Sequence, residues 1–236
     1  MRRKNFPTHY QPLSWPSVIL GTVLLFFSAE MISAQFFFNG GATRRTKALS
    51  NAKSIAGGLL VFKSDMGSYP CDATRKLMEE DGIKNLPAGK SANAYFAQLI
   101  ASESLDTEKV FFTPEKGFKL GDDDMKTSKT LLSPGENGFA YTMRKDGSAL
   151  RDVKSYTPLV LATLGEEGDG EPVFNADIYD GKVVVAHVDG SATLRKINEK
   201  GHIISPGRKN FFQTGRDSLF GQDSPKVVYP LRPAKK

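Results

Sequence analysis

The chain is short of the residues that most soluble enzymes and metalloproteins rely on. It has one cysteine, Cys71, among 236 residues. A lone thiol excludes an intramolecular disulfide and leaves no Cys-based metal spacing. Only three histidines are present, His9, His187 and His202, and they stand far apart. There is no Gly-x-Ser-x-Gly elbow, no phosphate-binding P-loop and no dinucleotide fingerprint, so the common nucleotide and acyl-transfer motifs are missing. Ser50-x-x-Lys53 matches the short hydrolase pattern Ser-x-x-Lys, but its companions Ser-Asp-Asn and Lys-Thr-Gly are absent. The pair reads as two polar residues on a solvated helix face. No internal repeat is visible.

An excess of positive charge on the body of the protein is lacking too. Of a formal net charge of +6, three come from Arg2, Arg3 and Lys4 and five from residues 198–236, which leaves residues 5–197 at −2. Nucleic-acid binding asks for Lys and Arg clustered with aromatics on one surface. The basic character here belongs to the two ends, so no nucleic-acid partner is expected. A hydrophobic content of 39% and a charged content of 25% are ordinary for a chain that buries a core.

What is present begins with a long apolar run. Val18–Phe38, VILGTVLLFFSAEMISAQFFF, is interrupted only by Glu30 and a few small or polar residues. About 20 apolar residues in a helix span the hydrocarbon layer. The basic leader 1–17 before it suits a cytoplasmic N-terminus. Residues 18–38 read either as an uncleaved single-pass anchor or as a signal segment cut near Ala34. Either reading carries the remainder across the inner membrane. Ile32 at a position that prefers a small residue, and the apolar Phe36–Phe38, favour the anchor.

Beyond it, Leu49, Ala52, Ile55, Ala56, Leu59 and Phe62 recur at three- and four-residue steps, predicting an amphipathic helix over 42–66 that Gly67 ends. Residues 71–90 are charged and read as loop. SANAYFAQLIASES, 91–104, predicts a second helix with Tyr95, Phe96, Leu99 and Ile100 on its apolar face. Strands are expected at Gly138–Met143, Pro158–Ala162, Lys182–Val188 and Ser191–Ile197, the last two joined by a two-residue turn at Asp189-Gly190. Helices followed by antiparallel strands give an α+β class, with a long N-terminal helix (membrane segment plus amphipathic half) packed on a small antiparallel sheet. The α+β head spans 42–197. The tail 198–236, with Pro206, Pro225, Pro230 and Pro233, is expected to be basic and irregular.

These residues resemble a family. TRRTKALSNAKSIAGGLLVFKSDMGSYP is similar to the helix of type II secretion pseudopilins and type IV pilins, which ends in Phe-x-x-Asp-x-Gly-x-Tyr-Pro; Phe62, Asp65, Gly67, Tyr69 and Pro70 occupy those positions. SANAYFAQLI, EKVFFTP, GENGFAYTM, TPLVLA and KVVVAHVDGSATLRKI, with Asp189-Gly190 in the last, follow in the order of pseudopilin-like proteins of the Verrucomicrobia–Lentisphaerae–Planctomycetes group. The resemblance implies a pilin-like fold and a non-enzymatic structural component of a type II secretion or pilus-like envelope system. It also implies partners among other secretion components, or further copies of the chain. The alternatives are a secreted or periplasmic binding module that no longer assembles, and a hydrolase.

The resemblance also implies roles for acidic residues. The family's membrane Glu takes part in assembly, and Glu30 would correspond to it. Leu25 stands where the family's peptidase requires Gly, so standard processing does not carry over. LGEEGDGEPVFNADI, 164–178, resembles the calcium loop of the major pseudopilin, with Glu167 and Asp177 at carboxylate positions. Ca2+ is the one cofactor this implies. The acidic triplet Asp122–Asp124 reads as a solvated loop, because consecutive carboxylates on one loop rarely converge. No small-molecule substrate is indicated.

Overall fold

A computed structural model describes residues 40–151, 153–162, 171–205 and 211–233. They belong to the unit Gly41–Lys236, with Gly40 at its boundary. The elements run α1 (Gly40–Met66), α2 (Asp72–Glu80), α3 (Ala92–Ala101), a 3-10 turn (Glu108–Phe111), β1 (Phe139–Arg144), β2 (Pro158–Ala162), β3 (Lys182–His187), β4 (Ala192–Lys196) and β5 (Pro225–Val228). The fold is mixed helix and sheet.

α1 follows its sequence period. Ala48, Ala52, Ile55, Ala56, Leu59 and Phe62 are fully buried, while Ser50 and Lys53 face solvent. The helix stops at Gly67, whose φ of 71° is the left-handed conformation that ends helices at low steric cost. Gly58 sits so close to Leu105 that a Cβ would stand 2.6 Å from its Cγ. Larger residues at 58 are thereby excluded.

The five strands form one antiparallel sheet in the order β4-β3-β2-β1-β5. Strand side chains alternate between two faces. Phe139, Tyr141, Met143, Val160, Ala162, Val184, Ala186 and Val228 share one core with the α1 stripe and α3. Ala140, Leu161, Val183, Val185 and Val227 turn to the other face, which Phe174, Ile203 and Phe211 cover. The sheet is therefore lined by apolar side chains on both sides, which explains why β1, β2 and β3 read as nearly continuous apolar runs.

Three expectations change. Residues 71–90 are not all loop: α2 occupies Asp72–Glu80, burying only Thr74 and Met78. The tail is not irregular throughout, because β5 pairs with β1 from Tyr141↔Val228 to Arg144↔Pro225. Pro225 lies at the end of that edge strand, where a missing N–H is tolerated. The β3–β4 connection is a three-residue loop. His187 N–H donates to Ser191 O at 2.8 Å, Gly190 N–H donates to His187 O at 3.0 Å, and Gly190 has φ 80°. That is a turn closed by one left-handed residue, so β3 ends at His187, one residue before the expected Val188.

α3 also differs from a half-buried helix. Every residue from Ala92 to Ile100 is buried. Its two polar side chains are satisfied internally: Asn93 Nδ2 donates to Leu132 O at 2.8 Å, and Gln98 Oε1 accepts from the Thr74 hydroxyl at 2.7 Å. Ser91 caps the start, accepting Ala94 N–H.

Candidate functional site

The motif residues carrying the family resemblance gather where α1 leaves the core. Phe62 is fully buried, and Asp65 faces solvent. Tyr69 is buried beneath the Lys63 ammonium, which stands 4.7 Å from its ring centroid, a cation–π contact. Pro70 O accepts the Tyr141 hydroxyl at 3.0 Å, fixing the helix exit to β1. Burial pushes the Tyr69 and Tyr141 hydroxyls up from their ordinary value, so both stay protonated and the Tyr141 donor persists. At the far end of the sheet, the exposed Asp189 accepts Ser191 N–H at 2.9 Å, and a Cβ on Gly190 would stand 3.1 Å from Leu60 of α1. Four of the seven motif positions, Phe62, Tyr69, Pro70 and Gly190, thus locate α1 against the sheet. Gly67 ends the helix, while Asp65 and Asp189 remain at the surface.

His187 is a structural histidine. Its Nδ1 meets Tyr156 O at 2.8 Å and must donate there, which leaves Nε2 to accept from Thr193 Oγ1 at 3.0 Å. Desolvation holds its pKa below the ordinary value.

Glu30, Glu167 and the apolar run Val18–Phe38 lie outside the described residues. Among the described residues, no helix is long and apolar enough to cross a membrane. Asp177 is exposed in a turn where its backbone N–H donates to Asn175 Oδ1 at 2.8 Å. It lines a cleft of about 490 Å3 with Arg44, Lys116, Phe118, Arg232 and Pro233. Charges of both signs line this cleft, but the lining includes no Ser, Thr, Cys or His among the described residues, so it presents no side-chain nucleophile of those types.

The sequence reading missed a second acidic site. Glu108, Asp122 and Glu136 each bring a carboxylate oxygen to within 4.8 Å of the others, and they come from three separate segments. Glu108 and Glu136 have no solvent exposure, whereas Asp122 is exposed. Asp123, next to Asp122, faces elsewhere: it accepts Thr107 Oγ1 at 2.8 Å and Glu108 N–H at 2.9 Å, and pairs with Lys109. These contacts hold Asp123 below the ordinary carboxylate range, the Lys109 hydrogen bond contributing most. Nothing local in the sequence marks Glu108 or Glu136, since each sits alone in a loop-like stretch.

No family model matches the chain, and no curated protein or solved structure matches it.

Proposed function

We propose that this chain is a non-enzymatic, pseudopilin-like structural component of a bacterial envelope, anchored by Val18–Phe38 in the inner membrane with its α+β head on the periplasmic side. The observation that supports this most is the seating of α1. Its buried stripe from Ala48 to Phe62 lies in the same core as the antiparallel sheet, and its exit through Tyr69-Pro70 is tied to Tyr141. A helix so embedded gives the head a firm base at its N-terminal end. That is the mechanical need of a subunit whose apolar N-terminal helices bundle with those of its neighbours. Glu30 then serves as the acidic partner within the bundle, since a carboxylate in lipid requires one. The non-enzymatic reading draws support from His187, both of whose ring nitrogens are engaged in the fold, and from the exposed Ser50 and Lys53.

Fractionation of cells expressing the full chain, with N-terminal sequencing of the recovered protein, tests the proposal. The expected outcome is an intact N-terminus in the inner-membrane fraction, released by detergent but not by high salt, and a head digested by protease added to the periplasm. A soluble chain starting near Gln35 would favour the secreted binding module instead. Recovery of the native protein from the cytosol would end both readings.

A further inference from the structure

The cluster of Glu108, Asp122 and Glu136 carries more negative charge than its recorded contacts balance. Glu108 Oε1 accepts Leu132 N–H, and Glu136 Oε2 accepts Ser133 N–H at 2.7 Å. Lys119 Nζ stands 2.9 Å from Glu136 Oε1, with its side chain 59% exposed. Asp122 Oδ1 accepts the N–H of Asp124 at 2.9 Å. Three carboxylates beside one ammonium leave about two negative charges over, two of the three carboxylates being wholly out of solvent. Glu108 Oε2 is also buried with no hydrogen-bond partner. A buried, unpaired carboxylate oxygen is costly, and such groups normally recruit a cation or a proton.

We propose that Glu108, Asp122 and Glu136 form a Ca2+ site. The donors are all carboxylate oxygens, which suit a hard cation and not a thiophilic one. Mg2+ usually keeps several waters and takes one or two carboxylates, whereas Ca2+ accepts a larger set of carboxylates in a flexible geometry, such as the three gathered here. The backbone is shaped for this convergence. Gly121 lies against Glu108 so closely that a Cβ there would stand 2.6 Å from Glu108 Cβ, and this contact brings Asp122 over the buried pair. Lys119 sits at the solvent edge, where a mostly exposed ammonium can withdraw as the ion enters. With no ion between them, the carboxylates of Glu108, Asp122 and Glu136 repel one another across this short span. A divalent ion reverses that repulsion and cross-links the 3-10 turn, the 119–124 loop and the 131–136 turn. The site shares no residue with the Glu167/Asp177 pair and does not depend on the envelope assignment.

The test uses the full chain in detergent, stripped with chelator and returned to metal-free buffer. Ca2+ alone is titrated in, with Tm and heat of binding as readouts and Mg2+ as comparison. The expected result is saturable binding with a Tm rise of about 5–10 °C at a hundredfold excess over Kd. Binding should weaken at least tenfold in Asp122→Asn, whose exposed position keeps the fold intact, and vanish in Glu108→Gln, while Asp177→Ala binds as the parent does. No heat and no Tm shift in the parent protein would overturn the proposal. An undiminished response in Asp122→Asn would also overturn it by placing the ion elsewhere. A parent indifferent to Ca2+ beside a Glu108→Gln variant that melts higher would assign the cluster a shared proton instead, and the proposal would fall.

Discussion

Asn93 Oδ1, on the buried helix α3, accepts the backbone N–H of Leu231 at 2.8 Å, joining residues 138 positions apart. The same side chain donates to Leu132 O and Ser133 O and accepts from Asn137 Nδ2. Nearby, Ala92 N–H donates to Tyr229 O and Gly135 N–H to Leu231 O, both within 3 Å. One amide therefore satisfies the backbone of two distant segments at once, and it holds the chain beyond β5 on the core. Replacing Asn93 by Ala strands the buried Leu132 carbonyl and the partly buried Ser133 carbonyl and Leu231 N–H. Each unsatisfied group costs about 1–3 kcal/mol. We expect Asn93→Ala to lose roughly 3 kcal/mol or more in urea denaturation, a drop in Tm of about 6–12 °C. Hydrogen exchange should show Leu231 losing protection first. Protection at Leu231 equal to that in the parent would contradict this.

The motif at the end of α1 separates packing from surface. Phe62 has no exposure and shares a core with Tyr141 and Phe96, whereas Asp65, three residues on, faces solvent. Phe62→Ala should cost about 3–5 kcal/mol through lost transfer energy and the cavity it leaves. Asp65→Ala should stay within about 0.5 kcal/mol. If Asp65 contributes to assembly, its substitution will lower co-purification with envelope partners without moving Tm. A large stability loss in Asp65→Ala would show that this helix end is packed otherwise than described.

What the sequence made legible, and what it hid, follows from the range over which each feature is encoded. α1 and the β3–β4 hairpin carry local signals: a three-four apolar period ending in Gly67, and an Asp-Gly turn signal between two strand-like runs rich in β-branched residues. α2 was opaque because DATRKLMEE buries only Thr74 and Met78, a stripe too thin to stand out among charges. β5 was opaque because it has four residues, opens with Pro225 and gains its place from pairing with β1. α3 was placed well, but its burial on all sides was hidden by Asn93 and Gln98, polar residues whose partners come from Leu132, Thr74 and Cys71. The acidic cluster was invisible for the same reason. Its members converge only in three dimensions, and the readable triplet Asp122–Asp124 divides its work, with Asp122 joining the cluster and Asp123 binding Thr107, Glu108 and Lys109.

His187 gives a pH signature with a definite sign. Its ring lies between Tyr156 O and Thr193 Oγ1 and is 3% exposed as a residue. Desolvation lowers its pKa below the ordinary 6.5, with Arg195 adding to the effect, while the Tyr156 hydrogen bond and Asp189 oppose it. The folded state thus binds this proton less readily than the unfolded chain. Stability from the neutral ring is complete above the unfolded value of 6.5 and is lost as pH falls from there toward the folded value. The other ionisable groups contribute slopes of their own, so the informative quantity is the difference between parent and variant. His187→Gln is expected to be less stable than the parent at pH 7.5, because it loses the fitted imidazole and its two hydrogen bonds. The gap between the two proteins should narrow as pH drops below 6.5, where the parent begins to lose the stability its neutral ring supplies. Urea unfolding of both at half-unit steps from pH 7.5 to 5 measures this. A gap that stays constant would mean that folding leaves the ring's affinity for its proton unchanged, and one that widens toward acid would mean that the fold favours the charged ring, with Asp189 outweighing desolvation.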